Sequence, residues 1–175
     1  MKVSKAITVG RSPSEVYAFW RDFENLPRFM YHLEFVENLG SGRSHWVTRA
    51  PAGRSVEWDA EIVDDEPGRR IAWRTAGADD DVTHSGSVSF VPAPGNRGTE
   101  VHVELTYDPP GGKLGAMVAK LFGEEPNQQV ADDLRRFKQV MEVGEVVRSE
   151  ASPEGAGQGI MRQEANQPSA IDARA

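Results

Sequence analysis

The sequence predicts an α+β protein in which a seven-stranded antiparallel sheet curls around one long C-terminal helix, with two short helices after the first strand. Between Leu33 and Tyr107 hydrophobic and polar residues alternate, as they do in strands with one buried face. After Pro109 the period becomes helical and continues to Val143. Because one helix cannot cover a twisted seven-stranded sheet completely, we expect the sheet to curl around it and leave a cavity.

The N-terminal part of the chain is predicted to hold a strand and two short helices. Apolar residues on one face predict the strand at 2–9. The run Ser-Pro-Ser-Glu at 12–15 places a capping serine, a proline at the first helical position and a glutamate three residues on, which predicts a capping box. Val16 and Trp20 then follow at helical spacing. We expect Asn25 to cap the second short helix.

Six further strands and one long helix complete the predicted fold. The strands are expected at 33–39, 44–50, 55–64, 70–75, 82–91 and 99–107. Short links rich in glycine and proline join them, which indicates an antiparallel meander. The long helix is expected at about 126–143, with Val130, Leu134, Phe137 and Met141 on its apolar stripe. Asp132, Asp133 and the basic residues near them fall largely off that stripe.

The composition excludes several classes of site. The chain has 175 residues and a formal charge of −7, so it lacks the bulk basic footprint that nucleic acid attracts. It has no cysteine, which excludes a disulfide scaffold, a thiolate zinc site and a cysteine nucleophile. The four histidines show no paired ligand spacing, and no phosphate or dinucleotide motif occurs. We therefore expect no metal and no cofactor.

Neither membrane insertion nor export is predicted. No apolar run approaches the ~20 residues that a spanning helix needs, and no apolar core follows the first lysines. We therefore expect a cytoplasmic protein without stable membrane insertion. Residues 149–175 contain no aromatic residue, and such a segment cannot bury enough apolar area to offset its ordering entropy. The predicted organisation is a folded domain at 1–148 and a disordered polar tail at 149–175.

Several stretches of the chain resemble one superfamily. They are SPSEVYAFWRDFENLPRFM at 12–30, VEWDA at 56–60, GTEV at 98–101 and DDLRRFK at 132–138. They resemble the START/Bet v 1-like (SRPBCC) helix-grip superfamily, and within it the bacterial polyketide cyclase/dehydrase and coenzyme Q-binding START-type branch. The resemblance covers about residues 1–143 and implies the helix-grip fold and a ligand-binding domain. The superfamily includes lipid carriers, hormone receptors and aromatic cyclases, so fold alone does not choose a function.

Strand parity and the apolar stripe of the long helix together give a set of candidate cavity residues, on the inner face of the sheet and on the helix that faces it. Any one of them could be ordinary core, whereas the whole set, rich in aromatic rings, indicates a cavity. Trp20 is placed instead in the core between helix and sheet. The candidate cavity residues are Trp46, Trp58, Ile71, Trp73, His84, Val88, Phe90, Val103, Tyr107, Val130, Leu134 and Phe137.

The leading functional hypothesis is binding of a hydrophobic or aromatic small molecule, such as a lipid, a quinone or a polyketide-like compound. The alternative is a polyketide cyclase/dehydrase-type enzyme that uses the same cavity. Such an enzyme needs a positioned acid or base, and His84 is the only good candidate, because parity places no carboxylate or arginine of the strands on the inner face. We therefore assign no catalytic residue and expect binding without turnover.

A third hypothesis is a regulatory protein whose cavity is incidental and whose tail or short helix binds another protein. Residues 114–122 are apolar nearly all round and are predicted to be helical. They fit a lid that touches a membrane during lipid exchange, a homodimer contact or an ordinary packed helix. The sequence leaves these three interpretations open.

Overall fold

The computed structural model describes residues 2–77, 83–108 and 126–145. Within them, α1 (Pro13–Arg21) and a short 3-10 helix (Phe23–Arg28) separate the first two strands, and α2 (Pro126–Val143) follows the last. The sheet is antiparallel with the order β1-β7-β6-β5-β4-β3-β2, which confirms the predicted α+β helix-grip architecture. Its strands are β1 (Lys2–Val9), β2 (Leu33–Gly40), β3 (Arg43–Ala50), β4 (Arg54–Glu66), β5 (Arg70–Thr75), β6 (Thr83–Pro92) and β7 (Thr99–Asp108).

The start of α1 is fixed by the capping box that the sequence predicts. The Glu15 amide donates to Ser12 Oγ at 3.3 Å, and the Ser12 amide donates to Glu15 Oε2 at 3.0 Å, so both free amides have acceptors. The prediction that Asn25 caps the second short helix is wrong. Asp22 caps it through its side chain, whereas Asn25 donates from Nδ2 to the Phe19 carbonyl at 3.1 Å.

A β-bulge interrupts the pairing of β4 with β5. The pairing register shifts between Ile62 and Asp64, so that Val63 has no partner in β5 and faces solvent. A bulge of this kind increases local twist and turns the strand. It lets the long strand β4 follow the curve of the sheet around α2.

Three hydrogen bonds join the C-terminal half of α2 to the end of β1 and the two residues that follow it. Lys138 Nζ donates to the Thr8 carbonyl at 2.6 Å, and the Gly10 amide donates to Glu142 Oε1 at 2.7 Å. Arg11 Nε donates to the Met141 carbonyl at 2.9 Å. All three bonds lie in the last two turns of the helix, so they leave its N-terminal half to contact the inner face of the sheet.

The face that α2 buries differs from the predicted stripe, because Asp133 and Val140 are buried and Met141 is only partly buried. Val130, Leu134 and Phe137 are buried as predicted, but Asp133 is buried beside them, with 5% of its surface exposed. Asp133 lies three residues after Val130 and four before Phe137, and this spacing places it on the same side of the helix. The assignment of Asp133 to the outer side of α2 is therefore wrong.

Two predictions fall on parts of the chain outside the described residues. They are the helix at 114–122 and the disordered tail at 149–175. Neither is tested, and both stay predictions, as does the boundary at residue 148. Among the helices that the structure describes, none is both long enough and apolar enough to span a membrane.

Candidate functional site

A cavity of about 40 Å³ lies between the sheet and α2. Three parts of the fold form its walls: the inner face of the sheet, the N-terminal half of α2, and the segment from α1 to the start of β2. Most of its walls are apolar or aromatic, and its polar side chains come from α2, from β6 and from the residues just before β2. The lining residues are Trp20, Phe29, Met30, His32, Leu33, Trp46, Trp58, Trp73, His84, Val103, Leu105, Gln129, Val130, Asp133 and Leu134.

The structure brings seven of the twelve candidate cavity residues together around this space. Tyr107 has its backbone in β7, directly opposite His84 of β6, and its side chain lies outside the described part of the chain. The other four candidates, which are corrected below, are buried elsewhere. The seven that line the cavity are Trp46, Trp58, Trp73, His84, Val103, Val130 and Leu134.

Ile71, Val88, Phe90 and Phe137 are buried in the core and do not line the cavity. Phe90 and Phe137 are separated from the cavity because α1 packs against both of them through Trp20. The ring centroid of Trp20 lies 6.4 Å from that of Phe90 and 4.9 Å from that of Phe137. Ile71 and Val88 pair with each other across β5 and β6, next to the strand position of Phe90. Parity finds the inner face correctly but cannot divide it between core and cavity.

Trp20 is placed only in the core by the sequence argument, and the structure shows it both in the core and in the cavity wall. Phe29, Met30 and Leu33 also line the cavity and were missed. Their apolar spacing marks them as buried, but only the three-dimensional path from the 3-10 helix to β2 places them at the cavity.

Three indole rings form a stacked wall on the sheet. The ring of Trp46 lies 5.8 Å from that of Trp58 and 6.4 Å from that of Trp73, with interplanar angles of 29° and 23°. Gly86 makes this possible, because a Cβ there would lie 2.4 Å from Cζ2 of Trp73. The space beside Gly86 is therefore filled by an indole ring.

Polar groups meet in the cavity wall where α2 approaches the strands. His32 Nδ1 lies 3.8 Å from Asp133 Oδ2, and Arg136 donates to Asp133 Oδ1 at 2.9 Å. The His84 ring lies 6.5 Å from that of Trp46 and 6.1 Å from that of Trp58. We call His32, His84 and Asp133 the polar end of the cavity. Of the three, only His84 is among the candidate cavity residues predicted from the sequence.

The comparisons with known proteins agree with this architecture. Residues 9–135 match the family described as polyketide cyclase/dehydrase and lipid transport. The chain belongs to this family. An uncharacterized 17.2 kDa protein of Streptomyces lincolnensis is 32% identical over 147 residues, which are 81% of this chain and 89% of that protein.

Two solved structures are similar to this family member. A protein of Deinococcus radiodurans is 45% identical, with a TM-score of 0.67 over 82% of this chain and 98% of that one. A START superfamily protein of Mycobacterium smegmatis is 22% identical, with a TM-score of 0.59 over 79% of this chain and 98% of that one. The second similarity shows the fold, and together with the family it confirms the START-like resemblance.

Burial sets the protonation of the polar end in this family member. Burial raises the pKa of Asp133 to about 7, against the opposing effect of the Arg136 guanidinium. Burial lowers the pKa of His84 to about 4. It also lowers the pKa of His32 to about 4, with His84 and Arg136 adding to the effect. Near neutral pH both imidazoles are uncharged and Asp133 is close to its midpoint.

Proposed function

We propose that this protein binds a hydrophobic or aromatic small molecule, such as a lipid, a quinone or a polyketide-like compound, in the cavity between the sheet and α2. The observation that carries the proposal is a cavity lined by four indole rings, those of Trp20, Trp46, Trp58 and Trp73. Aromatic rings packed against indoles gain about 0.5–1.5 kcal/mol beyond the burial of their area. The chain belongs to a family described as polyketide cyclase/dehydrase and lipid transport, and this description supports the same class of ligand.

The size of the cavity requires a wall to move when a ring compound binds. A volume of about 40 Å³ holds a few water molecules, because one buried water needs roughly 10–15 Å³, whereas a cavity that takes benzene measures about 150 Å³. The N-terminal half of α2 is the wall best suited to move. Val130, Asp133 and Leu134 line the cavity from it, while the bonds to Thr8, Gly10 and Arg11 lie at the other end of the helix.

Quenching of tryptophan fluorescence by 2-methyl-1,4-naphthoquinone tests the proposal, because all four tryptophans of the chain line the cavity. We expect saturable quenching in the native protein. Val130→Phe fills the cavity from α2 and should remove the saturable part. Val143→Phe, on the same helix but 63% exposed, is the matched control and should quench as the native protein does. Quenching that is unchanged in Val130→Phe would contradict binding in this cavity.

A second candidate function is a polyketide cyclase/dehydrase-type enzyme, and one observation favours it. Strand parity places no carboxylate of the strands on the inner face, which favours binding without turnover. Asp133 supplies a carboxylate from α2 instead, 3.8 Å from the imidazole of His32. A carboxyl group and a neutral imidazole side by side can donate and accept protons. Conversion of a poly-β-ketone faster than in buffer, lost in both His32→Ala and Asp133→Asn, would establish this function over simple binding.

A further inference from the structure

The charge at the polar end of the cavity restricts the ligands that it can take. Among the described residues that line the cavity there is no lysine or arginine. Arg136 lies beside this end, but its guanidinium bonds to Asp133 Oδ1 and lies 4.3 Å from the centre of the Tyr31 ring. Within the described residues, the charged groups that act on Asp133 are Arg136 and Asp132 of its own helix, and His32 is the titratable group that contacts it from another element.

An anionic ligand is poorly matched to this end. A carboxylate or phosphate that leaves water needs a cation or several donors to replace its hydration. His32 and His84 are uncharged near neutral pH, and Asp133 carries part of a negative charge. A fatty acid or a phospholipid headgroup placed here would lose its hydration without gaining a counter-ion from the described residues of the lining.

We infer that the polar end of the cavity binds the uncharged hydroxyl group of a phenol or enol and discriminates against ligands that end in a carboxylate or phosphate. The inference rests on the proposed binding function and names the chemistry of its ligand. A hydroxyl both donates and accepts a hydrogen bond, so it can pair with Asp133 in either protonation state and with a neutral imidazole. The Trp58 ring lies 6.1 Å from the His84 ring, so an aromatic ligand can contact the indole while its hydroxyl reaches the polar end.

Three ring compounds that differ in one substituent test the inference: fluorobenzene, 4-fluorophenol and 4-fluorobenzoate. Their binding to the full chain at pH 7 is measured by ¹⁹F NMR titration. We expect 4-fluorophenol to bind about three- to ten-fold more tightly than fluorobenzene, the gain of one net hydrogen bond. We expect 4-fluorobenzoate to bind at least about ten-fold more weakly than fluorobenzene, because its charge must be desolvated.

Variants of two adjacent aspartates show whether Asp133 carries the preference. Asp133→Leu should reduce the affinity for 4-fluorophenol to that for fluorobenzene. Asp132→Leu, whose parent side chain is 39% exposed and bonds to Arg135, is the control and should keep the native preference. Asp133→Asn retains a donor and an acceptor and should also keep it. If Asp133→Leu does not fold, the ligand ranking of the native protein and of Asp133→Asn decides.

The outcomes separate the two proposals. Equal binding of 4-fluorophenol and 4-fluorobenzoate by the native protein would overturn the inference while leaving the binding function in place. So would a preference for 4-fluorophenol that survives in Asp133→Leu. If none of the three compounds binds and the naphthoquinone does not quench, the binding function fails and the inference fails with it.

Discussion

The stability of the Asp133→Asn variant, compared with that of the native protein, should increase as the pH rises. In the folded protein, burial keeps the carboxyl protonated up to its pKa of about 7, whereas in the unfolded chain it ionises near its ordinary value of 3.8. Between these values unfolding releases a proton, so raising the pH favours the unfolded state of the native sequence. Asparagine is neutral throughout and still offers an oxygen to Arg136, so the variant escapes this loss.

The size of the effect follows from the two pKa values. Each pKa unit corresponds to about 1.4 kcal/mol. The rise from 3.8 to about 7 should therefore change the difference in free energy of unfolding between the variant and the native protein by about 4 kcal/mol between pH 4 and pH 8. His32 and His84 also titrate, since burial lowers their pKa values, and they stabilise the fold as the pH rises from about 4 to 6.5. Both proteins contain these histidines, so the effect of burial on them is common to both, and only His32, 3.8 Å from the substituted side chain, has altered surroundings in the variant.

Urea unfolding followed by tryptophan fluorescence measures the prediction. The difference in free energy of unfolding between Asp133→Asn and the native protein is determined at pH 4.5, 6, 7 and 8. We expect it to move steadily in favour of the variant up to about pH 7 and then to level off. Asp132→Asn, whose parent side chain is 39% exposed, should differ from the native protein by less than about 0.5 kcal/mol throughout. A difference for Asp133→Asn that does not change with pH would refute the burial of an ionisable carboxyl.

Two further predictions concern stability. Gly86→Ala should lower the free energy of unfolding by about 1–3 kcal/mol in urea melts, because its Cβ would lie 2.4 Å from the Trp73 ring; a near-neutral result would mean that the indole wall can shift. Ser12→Ala should cost about 1 kcal/mol, since it removes the acceptor of the Glu15 amide. Ser14→Ala is the control for it, and equal losses in the two variants would contradict the capping role.

The sequence predicts the elements of this fold closely because each is specified locally. The serine, proline and glutamate at 12–15 fix the start of α1, and α2 spans Pro126–Val143 as its period indicates. Strand ends differ by one or two residues from the predicted ranges, for example β4 at Arg54–Glu66 against 55–64. Hydrogen bonding between neighbouring strands extends pairing beyond the last alternating residue, and alternation alone does not record it.

The candidate site is predicted less completely because it depends on contacts between distant elements. Parity identifies the inner-facing Trp58 and Phe90 equally well, but α1 covers only Phe90. Asp133 is a charged residue, and a pattern that sorts residues by polarity assigns it to solvent. Its spacing from Val130 and Phe137 was the available signal for burial.

The pairing of β1 with β7 has a consequence for how this chain folds. β1 ends at Val9, and its partner in the described sheet begins at Thr99, so Val9 meets Thr99 across 90 positions. The other strand pairs join neighbours along the chain and form by local closure, whereas this pair must close a loop of most of the domain. During synthesis, β1 therefore stays without its sheet partner until the last strand has emerged. The N-terminal segment must remain unaggregated over that interval, and completion of the sheet is a late, chain-length-dependent step.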